Sequence, residues 1–219
     1  MRTKKLLAAA AIIAVGASTS MAQGNVYSLN VVGYVNRIIP EAEFALISNP
    51  LAGSNNLLSS IIPNPPDGTS VFRWNEAAQD LDEVVPTFFE GLGWAPDVTI
   101  NPGEAFFALG GARFTNTFVG EVRQGALSTP IGGNAGFSAV GSQVPVGGSL
   151  SSSVLVGYVP SDGDSVFTWN EAAQDLDEVV STYFEGLGWT PDLNLNVGDG
   201  FFLLRVDSGT TWTRNFTVE

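Results

Sequence analysis

Residues 70–97 read SVFRWNEAAQDLDEVVPTFFEGLGWAPD, and residues 165–192 read SVFTWNEAAQDLDEVVSTYFEGLGWTPD. The two stretches lie 95 residues apart and agree at 24 of 28 positions. A period this long describes two copies of a whole module, not a solenoid of short units. Each stretch opens on alternation: Phe72 and Trp74 fall on one side of an extended chain and Arg73 on the other. That is the two-residue period of a strand.

Working outward, 30–35 and 44–51 read as two earlier strands, the second ending at Pro50. Leu57, Leu58, Ile61 and Ile62 recur at helical spacing behind Asn55 and Asn56, which offer a cap, and Pro63 stops that turn or two. Two structures fit 75–85. A helix would line up Ala77, Ala78, Leu81, Val84 and Val85 and stop at Pro86, whereas a hairpin would loop at 76–79 and return from Asp80. The aromatic and β-branched flanks favour the hairpin. Asn101-Pro102-Gly103-Glu104 has the residues of a type II turn. It feeds Ala105–Leu109, a strand apolar on both faces, and Phe114 to Val122 alternates as a last strand. The second copy keeps this order through 137–145, 166–170, the turn at 196–199, 201–204 and 212–218. Val32-Gly-Tyr-Val35 is like Val119-Gly-Glu-Val122, which would let the copies share or exchange end strands. The fold expected is all-β: two similar short-strand antiparallel modules, sandwich or barrel-like and closely associated, over residues 23–125 and 126–219. The Gly/Ser-rich stretch 132–153 reads as loops rather than a flexible tether.

Residues 1–22 read as an export signal. Arg2, Lys4 and Lys5 precede an apolar core from Leu6 to Val15, too short to span a bilayer comfortably, and Ser20-Met21-Ala22 suits cleavage before Gln23. The expected location is therefore periplasmic, cell-surface or extracellular, with no membrane span after cleavage. Removing the signal leaves six basic residues against 22 acidic ones, a net charge of −16, and no Lys, Met, Cys or His. Such a charge argues against nucleic acid and anionic membranes as partners.

The missing residue types exclude much chemistry. Without His there is no Ser-His-Asp triad, and without Cys no thiol nucleophile or His/Cys zinc site. Without Lys there is no Schiff base or Walker-type phosphate loop. Carboxylates, Tyr, Ser/Thr and Arg remain. No cofactor is called for, Ca²⁺ apart.

Phe44-Ala-Leu-Ile-Ser-Asn-Pro50, Val71-Phe-Arg-Trp-Asn75 and Pro102-Gly-Glu-Ala-Phe-Phe107 resemble motifs of small all-β modules in bacterial secreted and surface proteins. Phe137-Ser-Ala-Val-Gly-Ser142 and Val197-Gly-Asp-Gly-Phe-Phe202 follow the pattern more loosely. The resemblance implies a β architecture and carries no general activity.

Identity within the repeat extends to polar positions that a shared fold does not require. Glu76, Gln79, Asp80, Asp82 and Glu83 match Glu171, Gln174, Asp175, Asp177 and Glu178, whereas 98–109 and 193–204 agree at only five of twelve positions. Gene conversion explains this as well as a shared job does. If it is a job, the candidate ligand-binding residues are Trp74, Glu76, Asp80, Asp82 and Glu83 with Trp169, Glu171, Asp175, Asp177 and Glu178. Trp rings beside carboxylates suit a glycan. Asp80, Asp82, Asp175 and Asp177 suit Ca²⁺, although the spacing is not that of an EF-hand. Self-association is the third reading. The function expected is a secreted, non-catalytic structural or recognition role outside the cytoplasm. The alternative is a carbohydrate-binding protein or a carboxylate-dependent glycosidase-like enzyme. Trp74 and Trp169 are expected on the core face and mostly buried.

Overall fold

Val71 and Phe72 leave one strand on opposite sides, and both are apolar. A sheet built from such strands has two faces to cover, and that requirement sets the architecture. The computed structural model describes residues 31–218; the export signal expected over residues 1–22 lies outside them. The first half runs β1 (Val32–Ile39), β2 (Phe44–Ser48), a helical turn α1 (Leu58–Ile61), β3 (Ser70–Asn75), β4 (Asp80–Leu81), β5 (Thr87–Phe89), β6 (Gly93–Ala95), β7 (Ala105–Leu109) and β8 (Phe114–Glu121). The second runs β9 (Gly125–Ile131), β10 (Gly136–Gly141), β11 (Gly148–Ser149), a π-helical turn (Leu150–Val154), β12 (Ser165–Phe167), β13 (Trp169–Asn170) and β14 (Asp175–Leu176). It ends with β15 (Ser181–Phe184), β16 (Gly188–Thr190), β17 (Asn194–Leu195), β18 (Gly200–Arg205) and β19 (Thr210–Phe216).

The protein is all-β, with short antiparallel strands. One sheet has the order β2-β7-β3-β5-β6, with β4 paired to β3, and the other β10-β18-β12-β15-β16. The 75–85 stretch is the hairpin: Trp74 faces Leu81 and Asn75 faces Asp80, as Trp169 faces Leu176 and Asn170 faces Asp175. The end strands are not exchanged. β1 pairs with β8 and β9 with β19, so each half closes on its own first and last strand. The like segments at 32–35 and 119–122 are partners, Tyr34 opposite Val119. The 132–153 stretch carries β10 and β11 rather than a tether.

The helical turn is capped differently from the sequence expectation. Asn55 Oδ1 accepts from the Leu57 N–H and the Ser60 hydroxyl, but Leu57 holds the cap position without a side-chain bond to the helix. The first-turn N–H of Ser59 is taken instead by Asp97 Oδ1 at 3.0 Å, 38 residues away. Asp192 does the same for Ser151 at 3.1 Å. The last residue of each repeated stretch thus supplies a cap that would ordinarily be local.

Three apolar clusters result. Val71, Phe106, Ile47 and Phe118 belong to the first, and Val166, Phe201, Leu203 and Trp212 to the second. The third forms where the two large sheets meet, around Leu46, Ala105, Phe107 and Phe202. β7 is therefore apolar on both faces for a reason: Phe106 fills the core of its own half and Phe107 the seam. The second half also buries an ion pair. Asp164 accepts from Arg205, Tyr158, the Ser161 N–H and the Val206 N–H. Burial, followed by the bond to Asp164, pushes the Tyr158 hydroxyl well above its usual range.

At the seam the halves come too close to be identical. Ser48 faces Ala105 at the end of the β2–β7 ladder, and Gly141 faces Gly200 at the same place in β10–β18. A Cβ on Gly200 would lie 2.9 Å from that of Ala105, and one on Gly141 would run into Ser48. One pair of side chains fits and two do not. Gly200→Ala should therefore destabilise the protein by about 1–3 kcal/mol through overpacking, measured by urea unfolding, whereas Ala105→Gly should leave the seam contacts in place.

Candidate functional site

The turn of each repeated hairpin builds itself from its polar residues. Asn75 Oδ1 accepts from the N–H groups of Ala77 and Ala78, and Asn170 Oδ1 from those of Ala172 and Ala173. Asp82 holds Asn75 Nδ2 at 3.1 Å and Arg73 at 2.8 Å. Asp177 holds Asn170 Nδ2 at 3.1 Å and the Thr168 hydroxyl at 2.6 Å. Asp80 and Asp175 accept from the following N–H, of Leu81 and Leu176.

The turn then aims one side chain at the other half. Gln79 and Gln174 both sit at φ +54°, in the left-handed region. Gln174 Oε1 accepts the Phe44 N–H at 2.7 Å, and Gln174 Nε2 donates to the Phe44 carbonyl at 3.1 Å. Gln79 does the same to Phe137, at 2.6 and 3.1 Å. Each amide completes one residue of an edge strand much as a neighbouring strand would. The indoles add to the clamp. Trp74 Nε1 donates to the Phe137 carbonyl at 2.9 Å, and Trp169 Nε1 to the Phe44 carbonyl at 2.8 Å. Two backbone contacts repeat the reciprocity, Ser48 N–H to the Gly198 carbonyl at 2.9 Å and Gly141 N–H to the Gly103 carbonyl at 3.0 Å.

Between the two clamps lies an open pocket of about 320 Å³. Four repeat-related pairs line it: Phe44 with Phe137, Trp74 with Trp169, Leu81 with Leu176, and Phe107 with Phe202. Every lining side chain is apolar. The rings interlock edge to face, Phe107 with Trp169 at 4.8 Å between centroids and Trp74 with Phe202 at 5.0 Å. Trp74 and Trp169 are half-buried, contrary to the expectation of mostly buried core residues. Strand alternation gives the core side to Val71 and Val166 and turns Phe72 and Trp74, like Phe167 and Trp169, toward the seam. The enclosed tryptophans are Trp94 and Trp189, each 8% exposed, and Trp212.

Of the residues singled out from sequence, only Trp74 and Trp169 line this pocket. Glu76, Asp80 and Glu83, with Glu171, Asp175 and Glu178, are exposed, while Asp82 and Asp177 stay half-buried within their turns. The Ca²⁺ set is not assembled: among the described residues no group of three or more His, Cys, Asp or Glu side chains could hold a metal ion. The reason is local, because both oxygens of Asp82 and of Asp177 are engaged by their own hairpins. Sequence reasoning missed Phe44, Leu81, Phe107 and their counterparts as lining residues. The two-faced strand 105–109 held the signal, since its second face demands a second packing layer.

Two side pockets flank the seam unequally. Arg37 pairs with Asp199 across it at 2.5 Å, beside Glu171. On the opposite side Glu104 and Glu76 line a pocket with Thr129, and Glu104 has no ion pair among the described residues. Burial raises the Glu104 pKa above its ordinary 4.5, opposed by its bond from the Asn101 N–H. Comparison with protein-family models, curated proteins and solved structures finds no match.

Two outcomes test this geometry. Gln79→Ala or Gln174→Ala leaves an edge-strand N–H without its partner, the carbonyl keeping its indole donor, and should cost about 1–3 kcal/mol each, measured by urea unfolding. For Glu104 the folded pKa lies above the unfolded one, so the native state binds the extra proton. Its destabilising effect is fully present above the raised pKa and fades as pH falls toward 4.5. Glu104→Gln should thus be more stable than the parent at neutral pH, and the gain should vanish near about pH 4.

Proposed function

We propose that this is an exported, non-catalytic recognition protein and that the seam pocket is its recognition site. The observation behind this reading is the lining: eight apolar side chains, paired between the halves and four of them from the repeated stretches, surround a gap that stays open between the two hairpins. Packing alone favours closing such a gap, because apolar surface left in water forgoes about 25 cal/mol per Å². Its volume of about 320 Å³ suits a small ligand or one anchoring group. The resemblance to bacterial surface modules and the export signal of residues 1–22 support a site of action outside the cytoplasm.

The glycan alternative has less support. A sugar needs polar partners as well as ring faces, and both pocket indole N–H groups already donate to the Phe137 and Phe44 carbonyls. Self-association keeps one supporting observation: the β5–β6 and β15–β16 tips expose Leu92 and Leu187, at 87% and 80%.

The test is titration with a neutral apolar fluorophore such as N-phenyl-naphthylamine. Saturable binding is expected, and it should be lost in the double variant Leu81→Asp, Leu176→Asp, with circular dichroism confirming that this variant is folded. Absence of saturable binding, or binding unchanged in the folded double variant, overturns the pocket as the site.

A further inference from the structure

The two side pockets at the seam are copies of one another, and only one of them is filled. Glu171 and Asp199 line the first, and Glu76 and Glu104, each 95 residues earlier, line the second. The strand registers add a further correspondence. Arg37 faces Asn116 in the β1–β8 ribbon, and Pro130 faces Thr211, the residue 95 places after Asn116, in β9–β19. Pro130 therefore stands in the second pocket where Arg37 stands in the first. By the same registers Ala139, opposite Phe202, takes the place of Leu46, opposite Phe107. Both replacements remove bulk, and the second pocket holds about 350 Å³ against about 240 Å³ in the first.

In the first pocket the turn carboxylate is answered. Asp199 Oδ2 accepts the Asn196 N–H at 2.6 Å, and Oδ1 holds the Arg37 guanidinium at 2.5 Å. In the second, Glu104 Oε2 accepts the Asn101 N–H at 3.0 Å, and Glu104 has no ion pair among the described residues. Other cations are engaged elsewhere. Arg73 pairs with Asp82 and acts on Glu104 from a distance, and Arg123 donates to Gln143, whose amide also bonds Thr129. Arg37 shows which group this carboxylate binds when one is supplied. We infer that the second pocket is a binding site for a guanidinium group on an aliphatic stem, which takes the place that Arg37 holds in the first. The planar fork of a guanidinium matches a carboxylate better than a compact ammonium does, and Glu104 is one methylene longer than Asp199. Glu76 and the Ser128 hydroxyl, also in the lining, supply further acceptors. This site is separate from the apolar seam pocket and does not depend on it.

The experiment follows amide chemical shifts by NMR while the full mature chain is titrated with methylguanidinium at low ionic strength. Tetramethylammonium, of the same charge but without donors, is the control. Saturable shifts at Asn101, Glu104 and Thr129 are expected with methylguanidinium, and tetramethylammonium should bind at least about tenfold more weakly. Glu104→Gln should weaken methylguanidinium binding by about tenfold or more. Pro130→Arg supplies the group from within the chain and should abolish that binding, with circular dichroism confirming that both variants are folded. If the arginine variant does not fold, Glu104→Gln decides alone. Acetyl-Gly-Arg-Gly-amide bound more tightly than methylguanidinium assigns the site to an arginine side chain of a protein, and methylguanidinium bound as well or better assigns it to a free guanidine; both uphold the site. Absence of saturable shifts at these residues, equal binding of tetramethylammonium, or binding unchanged in either folded variant overturns it.

Discussion

The reciprocal clamp across the seam is the contact on which the arrangement of the two halves depends. Gln79 and Trp74 satisfy the backbone of Phe137, and Gln174 and Trp169 satisfy that of Phe44. Each of these strands is at the edge of its sheet, and an edge strand left bare exposes unpaired N–H and carbonyl groups. Here the edges are covered by side chains from the opposite half. Because each half both gives and receives the same contact, a change in one hairpin damages the partner's edge strand rather than its own. The local turn bonds of Asn75 and Asp82 exist to hold Gln79 at its left-handed backbone position and so aim the clamp. The matched Asn75, Gln79 and Asp82, with Asn170, Gln174 and Asp177, therefore have a structural reason to agree.

The same geometry explains where the copies differ. Near the seam axis, equivalent residues meet each other or each other's neighbours, and two identical bulky pairs do not fit. Ser48 with Ala105 against Gly141 with Gly200 is one such resolution. Arg37 answering Asp199 on one side, while Glu104 has no ion pair among the described residues on the other, is a second asymmetry. Close-packed interiors tolerate an added methyl poorly, so the copies differ at Ala105 and Gly200, where β7 and β18 meet at the seam.

Closing the edges did not close the space between them. The clamps hold Phe44 and Phe137 by their backbones, and the side chains of both then face the gap between the hairpins. The pocket is what remains beside the seam where the apolar second faces of the two sheets meet. Its apolar lining is thus a product of the strands' own two-sidedness.

Much of this was legible in residues 70–97 and 165–192. Alternation in 70–75 specified strands, the flanks of 76–79 specified a hairpin rather than a helix, and Pro102-Gly103 specified the turn before β7, because these are local backbone preferences. Which face of Trp74 was core was not legible. Alternation assigns residues to sides without saying what lies on each side, and the side that looked like core proved to be the seam. The long-range caps of Asp97 and Asp192 were hidden for a similar reason, since a carboxylate 38 residues from its helical turn leaves no spacing signal. The sequence alone determined the strand content, the repeat and the charge, all of which depend on neighbours in the chain. Only the tertiary structure decided that the matched glutamines and tryptophans reach across to the other half, because that contact exists only once the two sheets have been brought together.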